Sequence, residues 1–82
     1  MSYAFDVYYA GPVDNAQNQR LLTSIIAFGA RLTYCEPAEL QTPSNATCLT
    51  FEFASHQDAE AAAKSLRELG QHVEGPYDYG DD

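Results

Sequence analysis

One pattern occurs twice in the chain and restricts its fold more than any other feature. Each half begins with a segment in which apolar and polar residues alternate, and continues through a helix-capping residue to a helix that ends near a glycine. The alternation has the period of a half-buried β-strand, whereas the apolar spacing that follows is that of an amphipathic helix. A short strand then closes each half. The sequence therefore predicts the order β-α-β-β-α-β in an α+β protein.

The two alternating segments are "YAFDVYYA" and "TCLTFEFA". Successive side chains of a strand point to opposite faces of a sheet. Their aromatic and aliphatic residues are therefore expected in the core. The same alternation places Asp6, Tyr8, Thr50 and Glu52 on the opposite face. Two carboxylates thus lie on the face that does not form the core.

Both predicted helices have clear ends. Asp14 and Ser55 are N-cap residues, and Gln17 stands where it would complete a capping box with Asp14. Gly29 and Gly70 supply the left-handed residue that ends each helix. The first helix is expected to run to about residue 28. The residues predicted to be buried are Leu21, Leu22, Ile25 and Ile26 in the first helix, and Ala59, Ala62, Ala63, Leu66 and Leu69 in the second.

This order is that of a ferredoxin-like sandwich, in which two helices cover one face of a four-stranded antiparallel sheet. We expect residues 1–82 to form a single domain with strands one and three at the centre. The other face of the sheet, here called the open face, is left to solvent or to a partner. The fourth strand contains Gly75 and Pro76, which an edge strand tolerates. Residues 37–46 carry two prolines and are predicted to form a loop.

Chemical matching of neighbours predicts the register of the central hairpin. If the numbers of paired residues sum to 83, apolar residues face apolar residues and Arg31 faces Glu52. The other predicted pairs are Leu32–Phe51 and Tyr34–Leu49 on the core side, with Thr33–Thr50 and Cys35–Cys48 on the open face. The two cysteines would then be able to form a cross-strand disulfide if oxidised. They are too few to hold a structural zinc ion, and we expect no metal or cofactor.

Charge restricts the class of partner. Twelve acids against four bases give a formal charge of −8. Direct binding to nucleic acid or to an anionic membrane is disfavoured, because such binding depends on Lys and Arg neutralising phosphates. The chain has no apolar run long enough for a membrane span, and "MSYAFDVYYAG" has no basic region typical of a signal peptide. We therefore expect a cytoplasmic protein with reduced cysteines.

The segment "LTFEFASHQDAEAAAKSLRELGQHVEG" resembles the core of the small acidic proteins that inhibit ribonuclease E. These proteins share its aromatic strand, its helix rich in Ala and Glu, its glycine stop and its short closing strand. In size and acidity the chain is also similar to phage inhibitors such as anti-CRISPR proteins, some of which present carboxylates where phosphates would lie. Both resemblances imply a protein that docks on a basic surface that handles nucleic acid.

Three functional hypotheses follow. The first is a non-enzymatic acidic protein that inhibits or modulates a nucleic-acid-handling protein, in the cytoplasm of its own cell or of an infected host. The second is a ferredoxin-like dimerisation or small-ligand regulatory module. The third is an enzyme, which would use Asp6 and Glu52 as a carboxylate pair, and which we disfavour because exposed acids on a sheet are usually solvated. The residues predicted to contact the partner are Asp6, Tyr8, Glu52, Glu74, Tyr77, Asp78, Tyr79, Asp81 and Asp82.

Overall fold

The described part of the chain forms one four-stranded antiparallel sheet and two α-helices, in the predicted order. In the computed structural model of the protein, residues 2–38 and 46–80 are described, the side chains of residues 79 and 80 excepted. Residues 39–45 of the predicted loop, and Asp81 and Asp82, lie outside the described residues. The elements are β1 (Ser2–Ala10), α1 (Asn15–Ile25) with a 3₁₀ turn (Ile26–Phe28), β2 (Arg31–Glu36), β3 (Ala46–Phe53), α2 (His56–Glu68) and β4 (His72–Gly80).

The strands lie in the order β2-β3-β1-β4, with every neighbouring pair antiparallel. This order places β1 and β3 at the centre and leaves β2 and β4 as edges. Buried residues of both helices and of the sheet form one hydrophobic cluster, so the helices cover one face. The predicted ferredoxin-like α+β fold is confirmed.

The centre of the core is aromatic. Phe5 of β1 and Phe51 and Phe53 of β3 are fully buried. The ring centroid of Phe5 lies 6.0 Å from that of Phe51 and 5.1 Å from that of Phe53, in tilted geometries. Burying each ring contributes about 2–3 kcal/mol. The alternation seen in the sequence therefore sets which face of the two central strands meets the helices.

The first helix begins as predicted and ends earlier. The Asp14 carboxylate accepts hydrogen bonds from the amides of Ala16 and Gln17, at 3.0 and 3.2 Å. The Gln17 side chain instead accepts from an arginine one turn later, so the capping box is not closed. Ile25 is fully buried, but Ile26 is 56% exposed, contrary to prediction. The α-helical turn ends at Ile25, and the tighter 3₁₀ turn that follows rotates Ile26 away from the core.

The second helix follows its prediction except at the last residue. The Ser55 hydroxyl accepts from the amide of Asp58 at 3.0 Å. Leu69 is 62% exposed, although it was predicted to be buried. The helix ends at Glu68, so Leu69 lies in the turn to Gly70 and leaves the helical stripe. The buried stripe is Ala59, Ala62, Ala63 and Leu66.

The central hairpin keeps the predicted register only at its first two pairs. Arg31 pairs with Glu52 and Leu32 with Phe51, but the next pair is Tyr34 with Thr50. One extra residue, Thr33, has entered β2 without a partner of its own, which is the definition of a β-bulge. Its hydroxyl donates to the Thr50 carbonyl at 3.3 Å. Beyond this point every β2 side chain points to the face opposite the predicted one.

The bulge overturns the predicted pairing of the cysteines. Cys35 pairs with Leu49 and packs against the core, whereas Cys48 pairs with Glu36. The two thiols therefore lie on opposite faces of the sheet, and both are free. The predicted Cys35–Cys48 neighbourhood, and the disulfide that it would allow, are wrong.

The last strand is the predicted edge strand beside β1. Arg67 of α2 reaches over it and donates to the carbonyls of Val73 and Gly75, at 3.1 and 2.8 Å. Gly75 adopts a φ of 114°, which L-residues rarely adopt. It lies so close to β1 that an added Cβ would stand 3.1 Å from Phe5 Cβ and 3.2 Å from the Ala4 carbonyl oxygen. The pairing shifts at this point, as expected for the Gly-Pro interruption.

Candidate binding surface

The open face carries three rows of four side chains, one from each strand in the order β2-β3-β1-β4. The register fixes each row, because paired residues of neighbouring strands lie side by side. The first row is Arg31, Glu52, Ala4 and Tyr77. The second row is Tyr34, Thr50, Asp6 and Glu74. The third row is Glu36, Cys48, Tyr8 and His72.

Each of the four strands contributes one carboxylate to the open face. They are Glu36, Glu52, Asp6 and Glu74, against one guanidinium, Arg31. With histidine neutral, these positions sum to a formal charge of −3. The two helices give a contrast, since α1 and α2 together carry three acids and three bases, whose charges cancel. The described residues carry nine acids and four bases, a formal charge of −5, and −3 of this charge lies on the open face. Asp14, which caps α1, and Asp78 of β4 account for the remaining −2.

Two of these carboxylates oppose each other directly. Asp6 pairs with Glu74 on the neighbouring strand, and like charges in such positions destabilise a sheet by a few tenths of a kcal/mol or more. Asp6 accepts a hydrogen bond from the Thr50 hydroxyl at 2.7 Å, and Glu74 contacts the His72 ring nitrogen at 3.2 Å. Among the residues that the structure describes, no lysine or arginine forms an ion pair with Asp6 or Glu74.

The predicted Arg31–Glu52 contact is present. The guanidinium Nη2 lies 3.1 Å from Glu52 Oε1. The Arg31 side chain is 68% exposed and that of Glu52 32%, so the ion pair adds little to stability. The ion pair engages Glu52, which is one member of the Asp6–Glu52 pair considered for catalysis. Asp6 pairs with Thr50, and Glu52 with Ala4 and Arg31, so the two carboxylates are not register neighbours.

Tyr8 and Cys48 form a partly buried pair within the third row. The Tyr8 ring makes an edge contact with the His72 ring, with centroids 5.6 Å apart. Burial raises the pKa of the Cys48 thiol to about 11, and the Asp6 charge acts in the same direction. Burial, the hydrogen bond to Cys48 and the nearby charges also raise the pKa of the Tyr8 hydroxyl. Both groups are therefore neutral near pH 7, and Cys48 is poorly suited to act as a thiolate nucleophile.

Two tyrosines project from the edges of the open face. Tyr34 on β2 is 57% exposed and Tyr77 on β4 is 45% exposed. Tyr34 was predicted to lie in the core, opposite Leu49, and the bulge at Thr33 is the reason that it does not. The same shift brings Glu36 to the open face. Sequence reasoning missed both residues, because the alternation of β2 contains no sign of the extra residue.

The structure brings five of the predicted contact residues to one face: Asp6, Tyr8, Glu52, Glu74 and Tyr77. Asp78 follows Tyr77 and pairs with Tyr3, whose side chain packs against the core. Asp78 is therefore on the helix side of β4 and not on the open face. Tyr79 belongs to β4, but its side chain is outside the described part of the structure, as are Asp81 and Asp82.

Comparison of the chain with protein-family models, curated proteins and solved structures found no match. Within residues 2–38 and 46–80, no helix is both long and apolar enough to cross a membrane. The same residues contain no group of three or more His, Cys, Asp or Glu side chains arranged to hold a metal ion. The open face is therefore characterised by its charge and its aromatic side chains.

Proposed function

We propose that the protein is a non-enzymatic acidic binding protein that docks its open face on a positively charged surface of another protein. We further propose that this partner handles nucleic acid and that docking inhibits or modulates it. The encounter would take place in the cytoplasm, which for a phage-encoded protein is that of the host. One observation carries the proposal: the open face holds −3 of the formal charge of −5 that the described residues carry.

The opposition of Asp6 and Glu74 supports this proposal. Paired carboxylates raise the energy of the isolated sheet, and a basic partner would relieve that repulsion on binding. A basic surface would also be attracted from a distance, because complementary charge raises association rates. Nucleic-acid-binding proteins present Lys and Arg in this way to neutralise phosphates. The acidic face would occupy such a surface and exclude nucleic acid from it.

The test is affinity purification from the native host, with partners identified by mass spectrometry. The wild-type protein is compared with the double variant Asp6→Asn, Glu74→Gln, which removes two charges from the open face. The matched control is Glu60→Gln, Glu68→Gln, which removes two charges from exposed positions of α2. We call the first double variant the sheet variant and the second the α2 variant. We expect wild type and the α2 variant to capture a nucleic-acid-binding protein in equal amounts, and the sheet variant to capture severalfold less of it.

Binding to that partner is then measured between about 50 and 200 mM salt, a range over which electrostatic attraction weakens. Affinity for wild type should fall steeply, and the sheet variant should show a shallower dependence. Capture that is equally reduced by both variants would mean that total charge matters and the open face does not. Binding that is insensitive to salt, or a partner with an acidic surface, would contradict the proposal.

A further inference from the structure

We infer that Tyr34 and Tyr77 are the specificity-determining anchors of the open face, and that they receive arginine side chains of the basic partner. This inference rests on the proposed function, since it assumes that a basic protein surface covers this face. It adds the residue type that the partner must present and the two positions that recognise it.

The two edge strands share an unusual feature. β2 contains one extra residue between Leu32 and Tyr34, and β4 contains one extra residue between Glu74 and Tyr77. In a regular ladder both tyrosines would pair with core-side residues, namely Leu49 and Tyr3. In the structure they pair with open-face residues instead. Two independent bulges therefore have the same result: each turns one tyrosine outward.

A bulge re-aims a side chain at the expense of regular pairing, and bulges are frequent beside functional sites. The outcome here is exposure of large aromatic surface, 57% for Tyr34 and 45% for Tyr77. Tyrosine anchors are enriched among the residues that dominate protein interfaces. The geometry points to recognition at the two edge strands, with the carboxylates Glu52 and Asp6 on the central strands between them and Glu74 beside Tyr77 on β4.

The charge of the open face indicates which kind of molecule covers it. A second copy of this chain would bring two faces of −3 together, which disfavours self-association. A basic partner offers lysine or arginine, and arginine stacks on aromatic faces while it pairs with carboxylates. Tyr34 and Tyr77 lie on the two outer strands and one row apart. Three strand spacings across the sheet and two residues along the strands place them about 16 Å apart. The partner surface should therefore present two arginines at about that separation.

The experiment uses two defined probes, an octa-arginine and an octa-lysine peptide of equal charge, each about 27 Å long when extended. Affinities are measured by calorimetry for wild type and for the double variant Tyr34→Ala, Tyr77→Ala. We expect octa-arginine to bind wild type about three- to tenfold more tightly than octa-lysine, from two cation–aromatic contacts. The alanine variant should bind both peptides equally, with its affinity for octa-lysine changed less than about twofold.

Two control variants separate charge from aromatic recognition. Tyr34→Phe with Tyr77→Phe keeps the rings and should keep the preference for arginine. Asp6→Asn with Glu74→Gln should weaken the binding of both peptides and leave a preference for arginine, because it removes two carboxylates and keeps both tyrosines. Because both tyrosines are exposed, the alanine variant should unfold within about 5 °C of wild type, which thermal denaturation checks.

Each outcome bears on the inference. Equal binding of the two peptides to wild type, or a preference for arginine that survives in the alanine variant, would overturn it and leave the proposed function standing. If neither peptide binds more tightly than an uncharged peptide of equal length, both proposals fail. Sedimentation that reveals a dimer dissociated by Tyr34→Ala would assign the tyrosines to self-association and would also overturn the inference.

Discussion

Replacing Gly75 with alanine should destabilise the protein more than the same change at any glycine whose surroundings are open. Gly75 has a φ of 114°, and a new Cβ would lie 3.1 Å from Phe5 Cβ and 3.2 Å from Phe5 Cα. Gly70 has a similar φ of 88°, but nothing lies within 4 Å of its added Cβ. Gly70→Ala is therefore a matched control for the backbone conformation without the close contact.

The two costs can be estimated separately. Forcing alanine into the left-handed region costs about 1–2 kcal/mol, partly offset by the smaller entropy of its unfolded chain. Gly70→Ala should therefore cost about 1 kcal/mol. At Gly75 the methyl group must also push apart the backbones of β4 and β1, and such overpacking costs about 1–3 kcal/mol more. We expect a total of about 3 kcal/mol for Gly75→Ala, and a melting temperature lower by about 15 °C against about 5 °C for the control.

Urea and thermal denaturation followed by circular dichroism would measure both variants. If Gly75→Ala destabilises the protein no more than Gly70→Ala does, the close approach of β4 to β1 is not a constraint, and the reasoning is refuted. Gly75 lies between Glu74 and Tyr77, in the irregular part of β4 that sets which of its side chains reach the open face. If Gly75→Ala stays folded, β4 must move away from Phe5 of β1, and this movement should change the exposed fraction of the Tyr77 side chain.

Two further predictions concern the core and the buried thiol. Leu66→Ala should lower the free energy of unfolding by about 3 kcal/mol in urea denaturation, because Leu66 is fully buried, whereas Leu69→Ala should change it by less than about 0.5 kcal/mol. The pKa of the Cys48 thiol is raised to about 11 in the folded state, against about 8.5 in an unfolded chain, so the folded state holds the thiol proton more tightly. The resulting contribution to stability is complete below about pH 8.5 and is lost as pH rises to about 11. Cys48→Ser should flatten that fall in a pH series of denaturation curves; an unchanged slope would contradict the assignment.

The sequence predicted the fold where local signals and tertiary packing agree. In β1 and β3 the period of two matches the buried face, because both strands are central and cannot shift without exposing phenylalanines. The helix caps Asp14 and Ser55 were predicted correctly because capping depends on a few adjacent residues. The prediction that Leu69 is buried was wrong, because an apolar stripe does not show the residue at which a helix ends.

The open face was predictable only in its central strands. Asp6 and Glu52 follow from alternation, but Tyr34 and Glu36 depend on the bulge at Thr33. The segment "RLTYCE" fits a regular strand and a bulged strand equally well as a pattern. What distinguishes them is the environment of Cys35, which the bulge turns toward the core and the buried Asn18 of α1. That contact joins residues 17 positions apart in the chain, so no local pattern reports it.

The bulges also suggest how such a surface could change over time. The phenylalanines that hold the core lie on the two inner strands, whereas the outward-turned tyrosines lie on the two outer strands, after an extra residue. Insertion or deletion of a single residue in an outer strand would exchange the side chains that reach the open face, while the inner strands keep their packing. A new recognition specificity would then require one short insertion or deletion instead of a series of substitutions. For a protein designer, the same property means that the binding residues on either outer strand can be changed without redesigning the core.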